Sequence, residues 1–271
     1  MFWASESAAA SLEEVRRFGV KAGQLGIPGE LSLEGQAGQW QQALSAQPDI
    51  AIATAFCSYR GEDYADIPTV TRTVGLVPHA TRAERLARTK AVADLAGQLG
   101  IASVACHLGA VPPSHEGKAY REMRDLTREL CDHCGEHGQS FGLETGQETA
   151  EHLLAFIEDV ARSNLKVNFD PANMILYGMG DPLEALELLK HRIVTVHCKD
   201  GVRPDPEQPD ALGEERALGA GSVGIPGFVQ KLREIGYTGI LSIEREEPDA
   251  KRRAADIASA VQLLRQLTGR I

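Results

Sequence analysis

Four side chains able to bind a metal ion stand at the ends of four consecutive strand-like segments. They are Glu144 in FGLETG, Asp170 in VNFDPAN, His197 in TVHCKDG and Glu244 in LSIERE. Their separations of 26, 27 and 47 residues match strand and helix units of roughly 30 residues, with a long loop in the last interval. In a barrel, four adjacent strand ends converge on one cavity, so the spacing predicts a shared site.

Three carboxylates and one imidazole make a hard, oxygen-rich ligand set. Such a set suits Mn²⁺, Mg²⁺, Co²⁺ or Zn²⁺ and leaves coordination positions open for substrate oxygens. Any one of these residues alone is more often a loop cap or an ion-pair partner. Their joint pattern favours a metal site, because three ionised carboxylates packed together without a cation repel one another strongly.

The position of Asp170 illustrates how the sequence places such a ligand. Residues 165–169 alternate apolar and polar side chains, and Asp170 is followed directly by Pro171. Proline cannot continue a strand ladder, and it pushes the preceding residue into extended geometry. The Asp170 carboxylate is therefore expected to project from the carboxyl end of its strand, where strand and helix proteins place their chemistry.

The whole chain alternates strand and helix patterns. Strands are predicted at residues 20–27, 50–57, 101–107, 140–144, 165–170, 192–198 and 239–244, with a short additional one near residues 2–4. Repeated units with buried strands imply a parallel sheet, and the best fit is a single (β/α)₈ TIM barrel. A doubly wound open sheet is the alternative. No G-x-G-x-x-G follows a predicted strand, which weakens the dinucleotide-binding form of that alternative.

Local signals predict a capped helix and two long loops. Ser11 is expected to cap a short first helix. Residues 58–80 and 199–224 are interpreted as polar loops, and the first is long enough to suggest an active-site cover.

Composition limits the class of protein. The chain has 271 residues, of which 43% are hydrophobic and 24% charged, and no apolar run reaches the 18 or more residues of a membrane span. The formal charge of −10 should repel nucleic acid and anionic membranes. Five scattered cysteines fit reduced thiols. The N-terminus lacks the basic start and apolar middle of a secretory signal, so a cytoplasmic location is expected.

Several longer motifs resemble those of a known family. They are LETGQET, NFDPAN, VHCKD, LGAGSVGIPGF and GYTGILSIERE. On these motifs, and over nearly its whole length, the chain resembles the sugar phosphate isomerase/epimerase family of xylose isomerase-like TIM barrels. The resemblance implies one domain over residues 1–271 and a homodimer or homotetramer. It also implies one divalent metal ion, with Mn²⁺ favoured over Mg²⁺, Co²⁺ or Zn²⁺, bound by Glu144, Asp170, His197 and Glu244.

The resemblance also makes Glu144 and Glu244 an acid/base pair on opposite faces of a ketose. A proton α to a carbonyl is too weakly acidic for a carboxylate to remove unaided, so a metal must polarise the carbonyl and stabilise the enediolate. One glutamate then abstracts the proton and the other returns it. Return to the opposite face gives epimerisation, delivery to the neighbouring carbon gives isomerisation, and loss of a β substituent gives elimination.

Four further residues are candidates for binding substrate. His107 ends its strand facing the same cavity, and Arg216 resembles the loop arginine of the family. Lys199 lies two residues beyond His197, although an ion pair with Asp200 is an alternative for it. Asn173 stands where many relatives carry a histidine. Asparagine can hydrogen-bond a sugar hydroxyl but is a poor ligand for a second metal, which disfavours the multi-zinc nucleases among the relatives.

Two other patterns are interpreted as structural. Gly219 and Gly221 resemble a phosphate cradle, but turns explain glycine there equally well. A zinc-like set falls on one helix pattern without a second cysteine pair at finger or ribbon spacing. Its members are Cys131, His133, Cys134 and His137.

The leading hypothesis is a divalent-metal-dependent sugar or keto-sugar isomerase or epimerase that acts by proton transfer through an enediolate. Its partner is a small-molecule substrate, and neither nucleic acid nor a membrane is expected. A second hypothesis keeps the site but performs β-elimination on a 3-keto-glycoside. A third, of a different class, is a non-catalytic barrel that binds metal and carbohydrate, and a fourth is an endonuclease IV-like nuclease.

Overall fold

The part of the chain that the structure describes contains ten strands and ten helices. A computed structural model describes residues 1–208 and 210–269. The strands are β1 (Phe2–Trp3), β2 (Ala22–Ile27), β3 (Ala51–Cys57), β4 (Ser103–Cys106), β5 (Ser140–Glu144), β6 (Leu165–Phe169), β7 (Ile193–Cys198), β8 (Asp200–Val202), β9 (Glu214–Arg216) and β10 (Leu241–Ile243). The helices are α1 (Ala8–Arg17), α2 (Gln36–Ala46), α3 (Ile67–Thr73), α4 (Arg82–Gln98), α5 (Lys118–Glu136), α6 (Ala150–Val160), α7 (Pro171–Leu176), α8 (Pro182–Leu189), α9 (Ile225–Glu234) and α10 (Ala250–Thr268).

Eight of the strands form one parallel sheet in chain order. The order runs from β1 to β7 and ends with β10, and each neighbouring pair is parallel. The ammonium of Met1 donates a hydrogen bond to the carbonyl of Ile243, which brings the two ends of the curled sheet together. The predicted TIM-barrel fold is confirmed. The doubly wound alternative is wrong, because its strand order would reverse at a switch point.

Alternation along the strands separates an apolar layer from a polar one. On β6, the buried Phe169 packs against the helices, with its ring 6.1 Å from that of Phe228 on α9. Asn168 on the opposite face is also fully buried, and it hydrogen-bonds to polar side chains from other strands. Residues two apart share a face, so Asp170 continues the side of Asn168 just past the end of the strand.

The predicted loops contain regular structure that the sequence patterns did not indicate. Residues 58–80 include α3, and residues 199–224 include the antiparallel pair of β8 and β9. The first helix begins at Ala8, and its cap is Ser7 instead of Ser11, because the Ser7 hydroxyl accepts a hydrogen bond from the amide of Ala10. None of the described helices is long and apolar enough to cross a membrane.

Candidate metal centre

The four predicted ligands lie together at the carboxyl end of the parallel sheet. Glu144 is the last residue of β5 and His197 lies within β7, while Asp170 and Glu244 directly follow β6 and β10. One donor atom from each side chain lies within 4.8 Å of the others. The parallel sheet brings them together, since its strands all end at the same edge.

His197 is at the centre of this group. Its Nδ1 lies 2.8 Å from Glu244 Oε2, 3.1 Å from Glu144 Oε1 and 3.5 Å from Asp170 Oδ2. Its Nε2 lies 2.9 Å from the amide oxygen of Gln24. Because that oxygen only accepts hydrogen bonds, Nε2 carries the proton in the neutral imidazole. The lone pair of Nδ1 then faces the carboxylates, as a metal ligand requires.

Each of the three carboxylates has a buried oxygen without a hydrogen-bond partner among the described residues. These oxygens are Glu144 Oε2, Asp170 Oδ2 and Glu244 Oε2, the last of which lies near His197 Nδ1 but outside hydrogen-bond geometry. Buried charged oxygens without donors cost substantial free energy, and a coordinated cation removes that cost. The donor set of three carboxylates and one imidazole therefore fits a hard divalent cation.

Asp170 has a different task for each of its oxygens. Oδ1 accepts hydrogen bonds from the amides of Ala172 and Asn173, at 2.8 and 3.0 Å, and so caps the N-terminus of α7. The Thr145 hydroxyl bonds both the amide and the carbonyl of Asp170 at 2.8 Å. With its backbone and Oδ1 held in this way, Asp170 directs Oδ2 to the other carboxylates.

A buried polar layer beneath the ligands orients His197. Gln24 donates to Asn168 Oδ1 at 2.9 Å, and the Thr195 hydroxyl donates to the same oxygen. The amide nitrogen of Asn168 is farther from His197 Nε2 than the oxygen of Gln24, at 3.3 Å. The sequence prediction did not include Gln24. The one signal for it was a glutamine within the otherwise apolar strand AGQLGI.

Three of the predicted substrate-binding residues border the carboxylates. His107 Nε2 lies 3.4 Å from Glu144 Oε2, and Asn173 donates to Glu144 Oε1 at 3.0 Å. Lys199 Nζ lies 3.6 Å from Glu244 Oε2 and 3.3 Å from Glu246 Oε1. These two carboxylates, and not Asp200, are the near partners of Lys199.

The charges at the site stabilise the ionised forms of Glu244 and Lys199. Burial raises the pKa of Glu244, but the Lys199 ammonium and, in the metal-free protein, the protonated form of His197 outweigh burial and hold the pKa well below its usual range. Burial lowers the pKa of Lys199, but Glu244 and Glu246 raise it well above its usual value. Glu244 is therefore a carboxylate, and Lys199 presents a buried ammonium beside it.

Arg216 and the glycine-rich segment have other partners in this structure. Arg216 pairs with Glu214, and its guanidinium is partly exposed. Residues 219–224, GAGSVG, wrap around the buried carboxylate of Asp200, which accepts the amides of Gly219 and Gly221 at 2.9 and 3.0 Å. A Cβ at Gly221 would lie 2.2 Å from Asp200 Oδ1. Because the Asp200 carboxylate already accepts these amides, the segment forms an internal turn.

The two long loops meet above the site. The ring of Tyr64, from the first loop, lies 5.9 Å from that of His107. The amide of Ile67 donates to the carbonyl of Asp210 in the second loop at 2.9 Å. A small apolar cluster of Val70, Val74 and Tyr177 joins the first loop to the end of α7, and Leu212 of the second loop packs against it.

Comparisons with known structures agree with this architecture. A xylose isomerase domain protein from Planctomyces limnophilus is 42% identical, with 94% of this chain and 91% of that chain covered and a TM-score of 0.88. A xylose isomerase-like TIM barrel protein from Mycobacterium smegmatis, in complex with magnesium, is 21% identical over 96% and 87% of the two chains, with a TM-score of 0.71. A D-psicose 3-epimerase, crystallised in the presence of D-fructose, is 17% identical over 99% and 96% of the two chains, with a TM-score of 0.69.

Sequence comparisons identify the family. The protein MJ1311 of Methanocaldococcus jannaschii is 32% identical over 101 residues, which are 36% of this chain and 31% of that protein. The chain thus matches less than a third of the length of this curated relative. A family model for the xylose isomerase-like TIM barrel matches residues 12–267. Since that match spans most of the sequence, the chain belongs to the xylose isomerase-like TIM barrel family.

Proposed function

We propose that this protein is a divalent-metal-dependent isomerase or epimerase of a small sugar or keto-sugar. The observation that carries the proposal is that three side chains with a buried carboxylate oxygen lacking a hydrogen-bond partner among the described residues come together with His197, one donor atom of each within 4.8 Å of the others. The D-psicose 3-epimerase supports a ketose as the class of substrate. The magnesium complex of the M. smegmatis protein supports a divalent cofactor.

Glu144, Asp170, His197 and Glu244 would hold the ion, with Mn²⁺ preferred. When bound, the ion supplies a Lewis acid that makes the proton next to the substrate carbonyl more acidic. Asp170 serves only as a ligand, because its Oδ1 is committed to the cap of α7.

Glu144 and Glu244 transfer the proton. Glu244 is ionised at neutral pH, as a general base must be. Asn173 donates to Glu144 Oε1 and so orients the carboxylate that gives or takes the proton. The two glutamates reach the site from different strands, β5 and β10. One would abstract the proton from the substrate, and the other would return a proton to it.

The neighbouring polar residues bind and orient the substrate. Lys199 offers a buried ammonium to a hydroxyl or phosphate, and His107 and Asn173 offer hydrogen bonds beside Glu144. Arg216 would join them by exchanging its partner Glu214 for the substrate. The two loops, which contact each other through Ile67 and Asp210, would act as the cover that limits the access of water to the substrate.

Product analysis in D₂O tests the proposal. The Mn²⁺-loaded protein is incubated with a panel of ketoses and 3-keto-glycosides, and products are identified by NMR and mass spectrometry. We expect an epimer or an aldose, labelled at the carbon next to the carbonyl. Release of an aglycone instead would identify elimination, and saturable binding without exchange would identify a non-catalytic barrel. Nicking of abasic DNA would identify a nuclease. Sedimentation analysis tests the proposed homodimer or homotetramer.

A further inference from the structure

A second group of metal-binding side chains lies on the outer helices. It consists of Asp94 on α4, His133 on α5 and His137, the residue that caps the C-terminus of α5. Nε2 of His133 and Nε2 of His137 lie 2.8 and 2.9 Å from the same oxygen, Asp94 Oδ1. One donor atom of each residue lies within 4.8 Å of the others.

Helix geometry separates these histidines from the nearby cysteines. Residues four apart lie on the same helix face, so His133 and His137 both point to α4. Cys131 and Cys134 are fully buried in the hydrophobic core. The zinc-like set of two cysteines and two histidines therefore does not converge, and the third partner of the histidines is Asp94 from another helix.

The packing of α4 against α5 makes room for this group. Gly97 lies one turn after Asp94, and a Cβ there would be 3.0 Å from His137 Nδ1 and 3.1 Å from its Cγ. Glycine within a helix is unfavourable relative to alanine, and here it allows the ring to lie against the helix. One turn earlier, Lys90 pairs with Glu129 at 2.6 Å and fixes the same register.

We propose that Asp94, His133 and His137 form a second metal site that takes a late first-row divalent ion, Zn²⁺, Ni²⁺ or Cu²⁺. Two imidazoles suit these ions, in contrast to the oxygen-rich set at the strand ends. The separations of 2.8 and 2.9 Å fit adjacent ligands that each lie about 2.0–2.2 Å from one ion.

The second site is partly exposed to solvent. The side chains are 47%, 21% and 33% exposed for Asp94, His133 and His137, so water completes the coordination. An ion held there links α4 to α5 and stabilises the folded chain, because the unfolded chain lacks the preformed site. The strand-end site and its chemistry play no part in this inference.

Counting bound ions tests the second site. Equilibrium dialysis with Ni²⁺ is followed by metal analysis of the wild-type protein and of a variant carrying both His133→Gln and His137→Gln. The matched control is His191→Gln, which alters one exposed histidine outside the group. We expect the wild type and the control to bind one more ion per chain than the double variant.

Thermal unfolding provides a second readout. Without metal, the wild type and the double variant should unfold at closely similar temperatures, because neither histidine lies in the hydrophobic core and glutamine can still donate a hydrogen bond to Asp94. With Ni²⁺, the midpoint should rise more for the wild type and the control than for the double variant. Equal ion counts and equal Ni²⁺-induced shifts in all three proteins would overturn the proposal.

Discussion

His197 Nδ1 lies 2.8 Å from Glu244 Oε2, while Nε2 of the same ring lies 2.9 Å from the amide oxygen of Gln24. The strand β2 that carries Gln24 is not a neighbour of β7 in the sheet order. A side chain from across the sheet therefore determines which nitrogen of His197 faces the carboxylates. The orientation of one proposed ligand thus depends on the curling of the whole sheet.

Replacement of Gln24 by methionine should weaken metal binding. Methionine fills similar space but cannot accept the proton of His197 Nε2. Loss of such a supporting hydrogen bond lowers metal affinity by roughly 10- to 100-fold. Titration calorimetry with Mn²⁺ measures the change, and Gln42→Met on the exposed face of α2 is the matched control. Wild-type affinity in Gln24→Met would show that Gln24 does not orient a ligand.

Two substitutions of Asp170 should separate its two tasks. Asparagine can still cap α7 but loses the charge, whereas alanine loses both. Mn²⁺ affinity should fall by about 100-fold or more in each variant, since a buried anionic ligand is removed. Metal-free Asp170→Ala should in addition lose about 0.5–2 kcal/mol of unfolding free energy through loss of the cap.

Urea unfolding of the two metal-free variants provides the control for Asp170. Metal-free Asp170→Asn should be no less stable than the wild type, because one of three repelling carboxylates is neutralised. Wild-type Mn²⁺ binding in Asp170→Asn would contradict the role of Asp170 as a ligand.

Glu148 should make stability depend on pH. Burial raises the pKa of Glu148 to about 7, although the amide of Val111 and the field of His107 oppose the shift. A carboxyl group with a raised pKa in the folded state contributes stability at low pH. That contribution is lost as the pH rises from the ordinary glutamate pKa of 4.5 through the folded value of about 7. The loss is at most about 3.4 kcal/mol, and partial exposure of the side chain reduces it.

Urea unfolding at several pH values between 4.5 and 8 measures this effect. Glu148→Gln keeps an acceptor for the Val111 amide but cannot ionise, so its stability should fall less than that of the wild type over this range. Glu151→Gln, at an exposed position on α6, should behave like the wild type. Parallel profiles for Glu148→Gln and the wild type would mean that Glu148 does not titrate with a raised pKa.

The sequence predicted the fold and the proximity of the four strand-end residues because both follow from local patterns. Asp170 before proline, for example, marks the end of its strand without any knowledge of neighbouring strands. The positions of His107, Lys199 and Asn173 beside the carboxylates follow from the same strand ends. Their roles and those of the four proposed ligands stay predictions.

Contacts between distant segments were not predictable in this way. The contact of Gln24 with His197 becomes visible only when the sheet has curled and brought β2 near β7. The contact of Asp94 with the two histidines becomes visible only when the packing of α4 against α5 is known. The partner of Gly219 and Gly221, Asp200, lies about twenty residues earlier in the chain. Such pairings depend on three-dimensional packing, and no spacing in the sequence indicates them.

Proton transfer by Glu144 and Glu244 is the central claim, and solvent deuterium incorporation tests it most directly. The Mn²⁺-loaded protein is incubated in D₂O with a ketose substrate, and deuterium at the carbon next to the carbonyl is followed by NMR. Glu144→Gln and Glu244→Gln should each slow incorporation by about 10²- to 10⁴-fold. Glu158→Gln, at an exposed position on α6, should exchange at the wild-type rate. Wild-type exchange in both glutamine variants with Mn²⁺ bound would contradict this mechanism.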